Sequence, residues 1–254
     1  MNLLTSDGAP KLHLWRAPHR NDDMWAYRNW EKFGLTDLTY SLIDLKSEVI
    51  DNYSVRITST IKAEGKEGFG AYHTAIFLIK GDGAVVVDNK IHFIGFRFNP
   101  GRIGVRLLFD KKLNNVTYFG RGPIENYPDR KTAFDVGVYT LDVNNQYEYE
   151  KPMERGNHEE VRWAALNGNG MPSLFIQADN NLMQFSALPH TDEQMTPIEY
   201  KIDMPSSTAT VFCLSTKTLG VGSGSCGPRP LDKYLIWTDD TDFTYTLQLN
   251  RELQ

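Results

Sequence analysis

The sequence predicts an all-β protein, a large antiparallel sandwich that forms one domain over residues 1–254. The segment "YSVRITSTIK" at residues 53–62 alternates apolar and polar side chains, which is typical of a strand with one buried face. Similar segments recur along the chain and are separated by Gly, Asn, Asp and Pro, the residues that form turns. No linker or internal repeat interrupts them, so two packed sheets in one domain is the simplest architecture.

The alternating segments give the predicted strands in chain order. They lie at residues 53–62, 71–80, 84–93, 101–110, 115–120, 135–143, 159–167, 173–180, 182–188, 208–217 and 242–250. One short helix is predicted near residues 22–33, in "DDMWAYRNWEKFG". Asp22 or Asp23 can cap its start, Gly34 can end it, and Trp30 lies at a spacing that favours a core position.

Composition excludes several classes of protein. The formal charge is -5 and the basic residues are scattered, so the chain has no electrostatic surface for nucleic acid. Its apolar runs are far shorter than the roughly 20 residues of a membrane helix, and no signal-peptide pattern opens the sequence. We therefore expect neither a nucleic acid nor a membrane as partner. Cys213 and Cys226 are too few to form a disulfide framework, and we interpret both as free thiols.

Carboxylates in turn-rich stretches are the candidates for chemistry, because the sequence contains no phosphate loop, HExxH, paired CxxC or GxSxG motif. Glu125 and Asp129 in "GRGPIENYPDR" and Glu154 in "PMERGNHEE" could contact a sugar. Turn-forming residues surround each of them, so a structural role for Glu125 and Asp129 is favoured, with Arg130 paired to one of the two. No catalytic residue is predicted in this chain.

Four ordered motifs resemble the C-terminal domain of β-galactosidases of glycoside hydrolase family 2. They are "LWRAPHRNDD" at 14–23, "GRGPIENYPDR" at 120–130, "KPMERGNHEEVRWAAL" at 151–166 and "LGVGSGSCGPRPLDKYLI" at 219–236. The resemblance covers most of the chain and implies a supersandwich like that of galactose mutarotase. It also implies that this chain is a fragment or small subunit that begins inside a longer protein, because the family's two catalytic glutamates lie on a barrel that 254 residues cannot include.

The resemblance implies that this chain closes one wall of a sugar pocket in a retaining β-galactosidase and is inactive alone. Cys226 stands where related enzymes often carry a tryptophan, and residues 21–25, which include Asn21, Asp22 and Trp25, match a mobile loop beside the pocket. We add Glu125 and Glu154 as candidate sugar contacts. The implied partners are the catalytic barrel and other domains of the parent enzyme and a β-galactoside. No cofactor is expected in this chain, and any Mg²⁺ or Na⁺ is assigned to the parent.

Two other functions remain open at this stage. A free-standing aldose mutarotase would need a histidine and a carboxylate on one concave surface, for which His158 with Glu154 or Glu125 are the candidates. A noncatalytic carbohydrate-binding module would present exposed aromatic side chains in a groove and bind sugar weakly, without turnover. The order of the four motifs favours the β-galactosidase part over both.

Overall fold

The computed structural model describes residues 2–23 and 25–249 of the chain. Fourteen strands are present among these residues. They are β1 Lys11–His13, β2 Thr39–Asp51, β3 Ser54–Glu64, β4 Gly70–Lys80, β5 Val85–Ile94, β6 Arg102–Asp110, β7 Asn115–Gly122, β8 Asp135–Asp142, β9 His158–Val161, β10 Trp163–Asn167, β11 Leu174–Ala178, β12 Met183–Leu188, β13 Ala209–Thr218 and β14 Thr241–Leu249.

The strands form two antiparallel sheets, which confirms the predicted all-β sandwich. The smaller sheet has five strands in the order β1-β6-β13-β12-β9, and the larger has nine in the order β2-β3-β4-β5-β14-β11-β10-β7-β8. One hydrophobic cluster draws its buried side chains from both sheets, including Phe185 and Phe212, whose rings stack at 5.3 Å between centroids, and Phe243 and Tyr245. Aromatic side chains therefore supply much of the buried apolar area between the sheets.

The predicted helix near residues 22–33 is divided into α1 at Arg20–Asp23 and α2 at Ala26–Lys32, and residue 24 lies outside the described residues. Trp25 occupies the N-cap position of α2 and makes no capping hydrogen bond with its side chain. Neither Asp22 nor Asp23 therefore caps that helix. Gly34 adopts the left-handed conformation after α2, with φ at 72°, as predicted for its end. Trp30 is fully buried, also as predicted, and its indole N–H donates to Asn99 O at 2.8 Å.

The remaining helical pieces are short. They are α3 at Asp192–Met195 and the 3₁₀ turns at Leu35–Asp37, Lys201–Asp203 and Asp232–Tyr234. Thr191 and Gln194 form a capping box at the start of α3. Among the described residues, no helix has the length and apolarity needed to cross a membrane.

Three segments differ from the strand pattern that the sequence predicts, and the first is the short strand β1, which is not among the predicted strands. The stretch at residues 159–167 is divided at Arg162, so that β9 joins the five-stranded sheet and β10 joins the nine-stranded sheet. The long strand β2 is absent from the prediction, because its apolar residues fall in adjacent pairs such as Leu42 and Ile43 and two register shifts break its alternation. Strict period-two alternation fails wherever a strand changes sheet or contains a bulge.

The nine-stranded sheet carries an apolar face that extends beyond the buried core. On one face of β3 and β4, Ala63 and Ala71 are buried, whereas Val55 and Ile79 on that same face are 37% and 38% exposed. Val49 of the edge strand β2 pairs with Val55 and is 78% exposed. These three residues, Val49, Val55 and Ile79, form a row across three strands that we call the overhang. The sheet therefore continues its apolar face past the residues that cover it.

Candidate functional site

The late loop, residues 219–230, is held by residues from two distant motifs. Asn21 donates from Nδ2 to Gly222 O at 3.0 Å, and its Oδ1 accepts from the backbone N–H and hydroxyl of Ser225 at 3.0 and 2.8 Å. The carboxylate of Asp129 accepts from the backbone N–H groups of Val221 and Gly222 at 2.9 and 2.7 Å. The loop conformation is therefore set by side chains from the "RAPHRND" and "ENYPDR" segments.

A buried ion pair lies next to the start of this loop. Arg16 donates to both carboxylate oxygens of Asp22, from Nε at 3.0 Å and from Nη2 at 2.9 Å, and both side chains are almost wholly buried. Arg16 also donates from Nη1 to Leu219 O at 2.7 Å and from Nη2 to Gly220 O at 3.2 Å. Burial alone would raise the pKa of Asp22, but the Arg16 charge and hydrogen bonds from His19 and Arg16 hold it well below its ordinary value.

A second buried pair joins Arg102 and Glu154, whose Nη2 and Oε2 atoms lie 2.5 Å apart with each side chain 1% exposed. Burial raises the pKa of Glu154 and the Arg102 charge opposes that rise. The Glu154 backbone donates to Ala17 O at 3.0 Å, and its carbonyl is 2.8 Å from His19 Nε2. We call Arg16, Asp22, Arg102 and Glu154 the buried ion-pair cluster. It ties the "RAPHRND" segment to the "MERG" segment in the interior.

The "GRGPIENYPDR" corner is a scaffold held on several sides. Tyr127 is wholly buried, and the guanidinium carbons of Arg16 and Arg130 each lie 5.8 Å from its ring centre. Asn126 donates its backbone N–H to Asn157 O at 2.7 Å, and Asn157 Nδ2 donates back to Asn126 O at 2.8 Å. A corner fixed this firmly holds Asp129 beneath the late loop.

Glu125 takes part in the predicted charge pair with Arg130, whose Nη2 donates to Oε1 at 3.0 Å. The same oxygen accepts from the Tyr149 hydroxyl at 2.5 Å, and Oε2 accepts from the Gly156 backbone N–H at 2.8 Å. Glu125 therefore accepts three hydrogen bonds from the surrounding structure. It lines a surface cavity, described below, and does not contribute to the late loop.

Asn21, Trp25 and Cys226 lie on or beside the late loop. Cys226 is exposed and donates its backbone N–H to Ser223 O at 3.0 Å, next to the Ser225 that binds Asn21. The half-buried Trp25 ring lies 6.0 Å from the guanidinium carbon of Arg229. We call Asn21, Trp25, Cys226 and Arg229 the loop face. Arg229 was not predicted from the sequence, although a basic residue inside the Gly- and Pro-rich loop is a signal that could have identified it.

The six predicted sugar contacts thus fall into three environments. Asn21, Trp25 and Cys226 lie together at the loop face, Asp22 and Glu154 lie in the buried ion-pair cluster, and Glu125 lies beside the corner. Their roles in binding sugar stay predictions.

One buried group has the residue types of a metal site. Among the described residues, the possible ligand atoms of His13, Asp192 and Cys213 lie within 4.8 Å of one another. Asp192 is already 3.0 Å from His13 Nε2 and 3.6 Å from Arg106 Nη1. Burial raises the pKa of the Cys213 thiol to about 12. The positive charge of Arg106 beside Asp192 disfavours a metal cation at this group.

One family model and several curated proteins match most of this chain. The family model described as β-galactosidase small chain matches residues 1–249. Similar proteins include the β-galactosidase of Actinobacillus pleuropneumoniae, 27% identical over 96% of this chain and 24% of that protein. Another is the β-galactosidase of Arthrobacter sp. strain B7, 28% identical over 91% of this chain and 24% of that protein.

The chain spans about a quarter of the length of these curated relatives. Among solved structures, a copper-containing benzylamine oxidase from Hansenula polymorpha overlaps 84% of this chain and 43% of its own at 8% identity and a TM-score of 0.34, which is too remote to bear on fold or function. The family model, by contrast, covers almost every residue and includes all four motif segments. The chain belongs to the β-galactosidase small-chain family.

Proposed function

We propose that this chain is the C-terminal or small-subunit part of a β-galactosidase and that its loop face forms one wall of the site where terminal β-galactosides are hydrolysed. The remaining part of the enzyme supplies the catalytic carboxylates of a retaining mechanism. The observation that carries the proposal is that side chains from the "RAPHRND" and "ENYPDR" segments hold the late loop, and that the "MERG" segment is bonded to the "RAPHRND" segment. Residues from distant parts of the sequence thus fix the position of one exposed turn.

Two kinds of side chain contribute to the proposed wall. Asn21, Trp25 and Cys226 are placed to contact substrate, because they lie at the accessible side of the loop. Asp22 and Glu154 act as positioning residues, since each is 1% exposed and paired with a buried arginine. The small thiol of Cys226 leaves more open space than a tryptophan in the same place, which favours looser contact with the sugar ring.

The overhang supports a partner for this chain. Val49, Val55 and Ile79 continue the core face of the large sheet into solvent, and such apolar surface is typical of an interface. Because the relatives are about four times longer than this chain, we assign the overhang to the rest of the parent enzyme. No metal or other cofactor is assigned to this chain.

The aldose mutarotase alternative has weaker support. It requires a carboxylate free to exchange a proton, and Glu125 accepts three hydrogen bonds while Glu154 is buried against Arg102. His158, the other candidate, is buried, and burial lowers its pKa to about 4, so it is neutral near pH 7.

The test combines this chain with the remaining part of the enzyme and measures nitrophenol release from an aryl β-galactoside. We expect no turnover by the chain alone and full turnover by the assembly. Cys226→Trp should have a large effect on KM and a small effect on the free energy of unfolding. Ile202→Trp, at an exposed site elsewhere, should change neither quantity. Unchanged kinetics for Cys226→Trp in an active assembly would contradict the wall.

The overhang is tested in the same assay. Val49→Lys should weaken assembly and leave the chain folded, because Val49 is 78% exposed on an edge strand. Ile202→Lys is the matched control at an 86% exposed residue. Assembly that tolerates Val49→Lys and Ile202→Lys equally would remove the overhang from the interface and leave the loop-face result unaffected.

A further inference from the structure

A cavity of about 550 Å³ opens on the side of the corner where Glu125 lies. Four pieces of chain form its walls: the corner at residues 123–130, the end of β8 at residues 140–142, the segment at residues 145–149, and residues 156 and 158. This volume falls within the range of about 300 to 1,000 Å³ that is usual for small-molecule sites. Its lining residues do not include Cys226, Trp25 or Arg229.

The cavity presents apolar surface that no other described part of the chain covers. Tyr147 is 78% exposed and Ile124 is 62% exposed, although both are large apolar side chains. Tyr147 packs edge-on against Tyr149, with ring centroids 5.2 Å apart and planes at 84°. One ring is thus braced by the other and offers a flat surface to a ligand. The apolar face of a pyranose ring is the kind of group that stacks on such a surface.

The polar groups of the cavity are matched to hydroxyl groups. Glu125 and Arg130 are joined at 3.0 Å, and Arg130, about half exposed, has guanidinium N–H groups in addition to the one that Glu125 accepts. A carboxylate has about four acceptor sites, of which Glu125 uses three. Sugar hydroxyls both donate and accept, so they can accept from the remaining N–H groups of Arg130 and donate to the remaining acceptor site of Glu125.

The balance of charge in the cavity argues for a neutral ligand. Glu125 and Asp142 contribute two carboxylates and Arg130 one guanidinium, and Glu125 and Arg130 already neutralise each other. An anionic ligand would face Asp142 and a cationic ligand would face Arg130. A neutral polyhydroxylated ring meets neither penalty.

The walls are fixed before any ligand arrives. Asn126 anchors the corner to residue 157, and Gln146 donates from Nε2 to Ala187 O at 2.6 Å. Because the lining groups need little ordering on binding, the entropic cost of binding a small ligand is reduced.

We propose that this cavity, between the corner and residues 145–149, is a noncatalytic binding site for a neutral pyranose saccharide that stacks on Tyr147 and hydrogen-bonds to the Glu125–Arg130 pair. The saccharide is bound in addition to any sugar at the loop face, and the proposal does not depend on hydrolysis.

The test is a titration of the 254-residue chain with methyl β-D-galactopyranoside, followed by amide chemical shifts in two-dimensional NMR. We expect saturable shifts at residues 123–130 and 145–149. Tyr147→Ala should raise the dissociation constant at least about tenfold because it removes the stacking surface. Tyr200→Ala, at another exposed tyrosine outside the cavity, is the matched control and should leave the affinity unchanged.

Three outcomes would overturn the proposal: no saturable shifts in the cavity, shifts confined to residues 222–229, or equal affinity for Tyr147→Ala and the parent chain. Glycerol at the same hydroxyl concentration should give no saturable shifts, and saturation by glycerol would show an adventitious polyol pocket, which also counts against it. The proposed hydrolytic role is scored separately by aryl β-galactoside turnover in the assembly, so failure of one leaves the other measurable.

Discussion

The buried ion-pair cluster and the loop face both take residues from the "LWRAPHRNDD" motif but have opposite properties. Asn21 and Asp22 are neighbours in sequence, yet Asn21 reaches the late loop at the surface and Asp22 is 1% exposed against Arg16. The cluster therefore sets the position of the loop, and the face is what a ligand can touch. This difference predicts that mutations in the cluster change stability and mutations in the face change binding.

The largest effect is expected from Glu154→Gln, which leaves Arg102 charged and unpaired in the interior. Breaking a buried ion pair from one side costs about 3 to 5 kcal/mol, and we expect a loss of that size in the free energy of unfolding from urea titrations. Asp239→Asn breaks the exposed pair with Arg97 and is the control that should change little. Equal losses for the two variants would erase the distinction between cluster and surface.

Acid sensitivity gives an intermediate effect with a defined sign. The folded-state pKa of Asp22 is held below its unfolded value, because the Arg16 charge and hydrogen bonds outweigh burial. The stability from this group is thus present above about pH 4, near the unfolded-state pKa, and is lost progressively as pH falls from there toward the lower folded-state pKa. Asp22→Asn should flatten the acid limb of the unfolding free energy, measured from pH 6 to pH 3.

The neighbouring Asp23 is the matched control, since burial raises its pKa and reverses the sign of its contribution. Its protonation favours the folded state, so stability from Asp23 grows as pH falls. Asp23→Asn should therefore leave the acid limb as steep as before or steeper. A flattened limb in both variants would mean that Asp22 is not the source of the acid sensitivity.

The smallest effect on stability is expected at the loop face. Cys226→Ser should change the free energy of unfolding by no more than about 0.5 kcal/mol, because Cys226 is exposed. Its thiol should nevertheless react with a thiol reagent more than roughly tenfold faster than Cys213, which is 4% exposed and whose pKa burial raises to about 12. Urea should bring the two rates together, and equal rates in the folded chain would contradict the assignment of Cys226 to an accessible face.

The sequence predicted those parts of the fold in which local pattern and final environment agree. Strict alternation in residues 53–62 corresponds to β3, and Trp30 at helical spacing lies in the core. The division at Arg162 was not predicted, because the sequence of residues 159–167 gives no sign that the two sides of Arg162 belong to different sheets. Alternation reports that one face of a strand is buried but does not report which sheet buries it.

The sequence predicted which segments form the candidate site but not which of their residues contact one another. The motifs identified the late loop and the corner, and Arg130 was correctly expected to pair with a nearby carboxylate. The Glu154–Arg102 pair joins a loop residue to the start of β6, and the two hydrogen bonds that Asp129 accepts from residues 221 and 222 cross between motifs. Such pairings depend on the topology of the sheets, which a linear pattern does not contain.

The position of β14 has a consequence for how the chain acquires its structure during synthesis. This strand, near the end of the sequence, pairs with β5 on one side and β11 on the other, so it joins two four-stranded halves of the large sheet. Until residues 241–249 have left the ribosome, β5 and β11 each present an unpaired edge, and exposed edges pair readily with other chains. The large sheet is therefore completed only after β14 has been synthesised, and the interval before that step is when a nascent chain is most prone to aggregate.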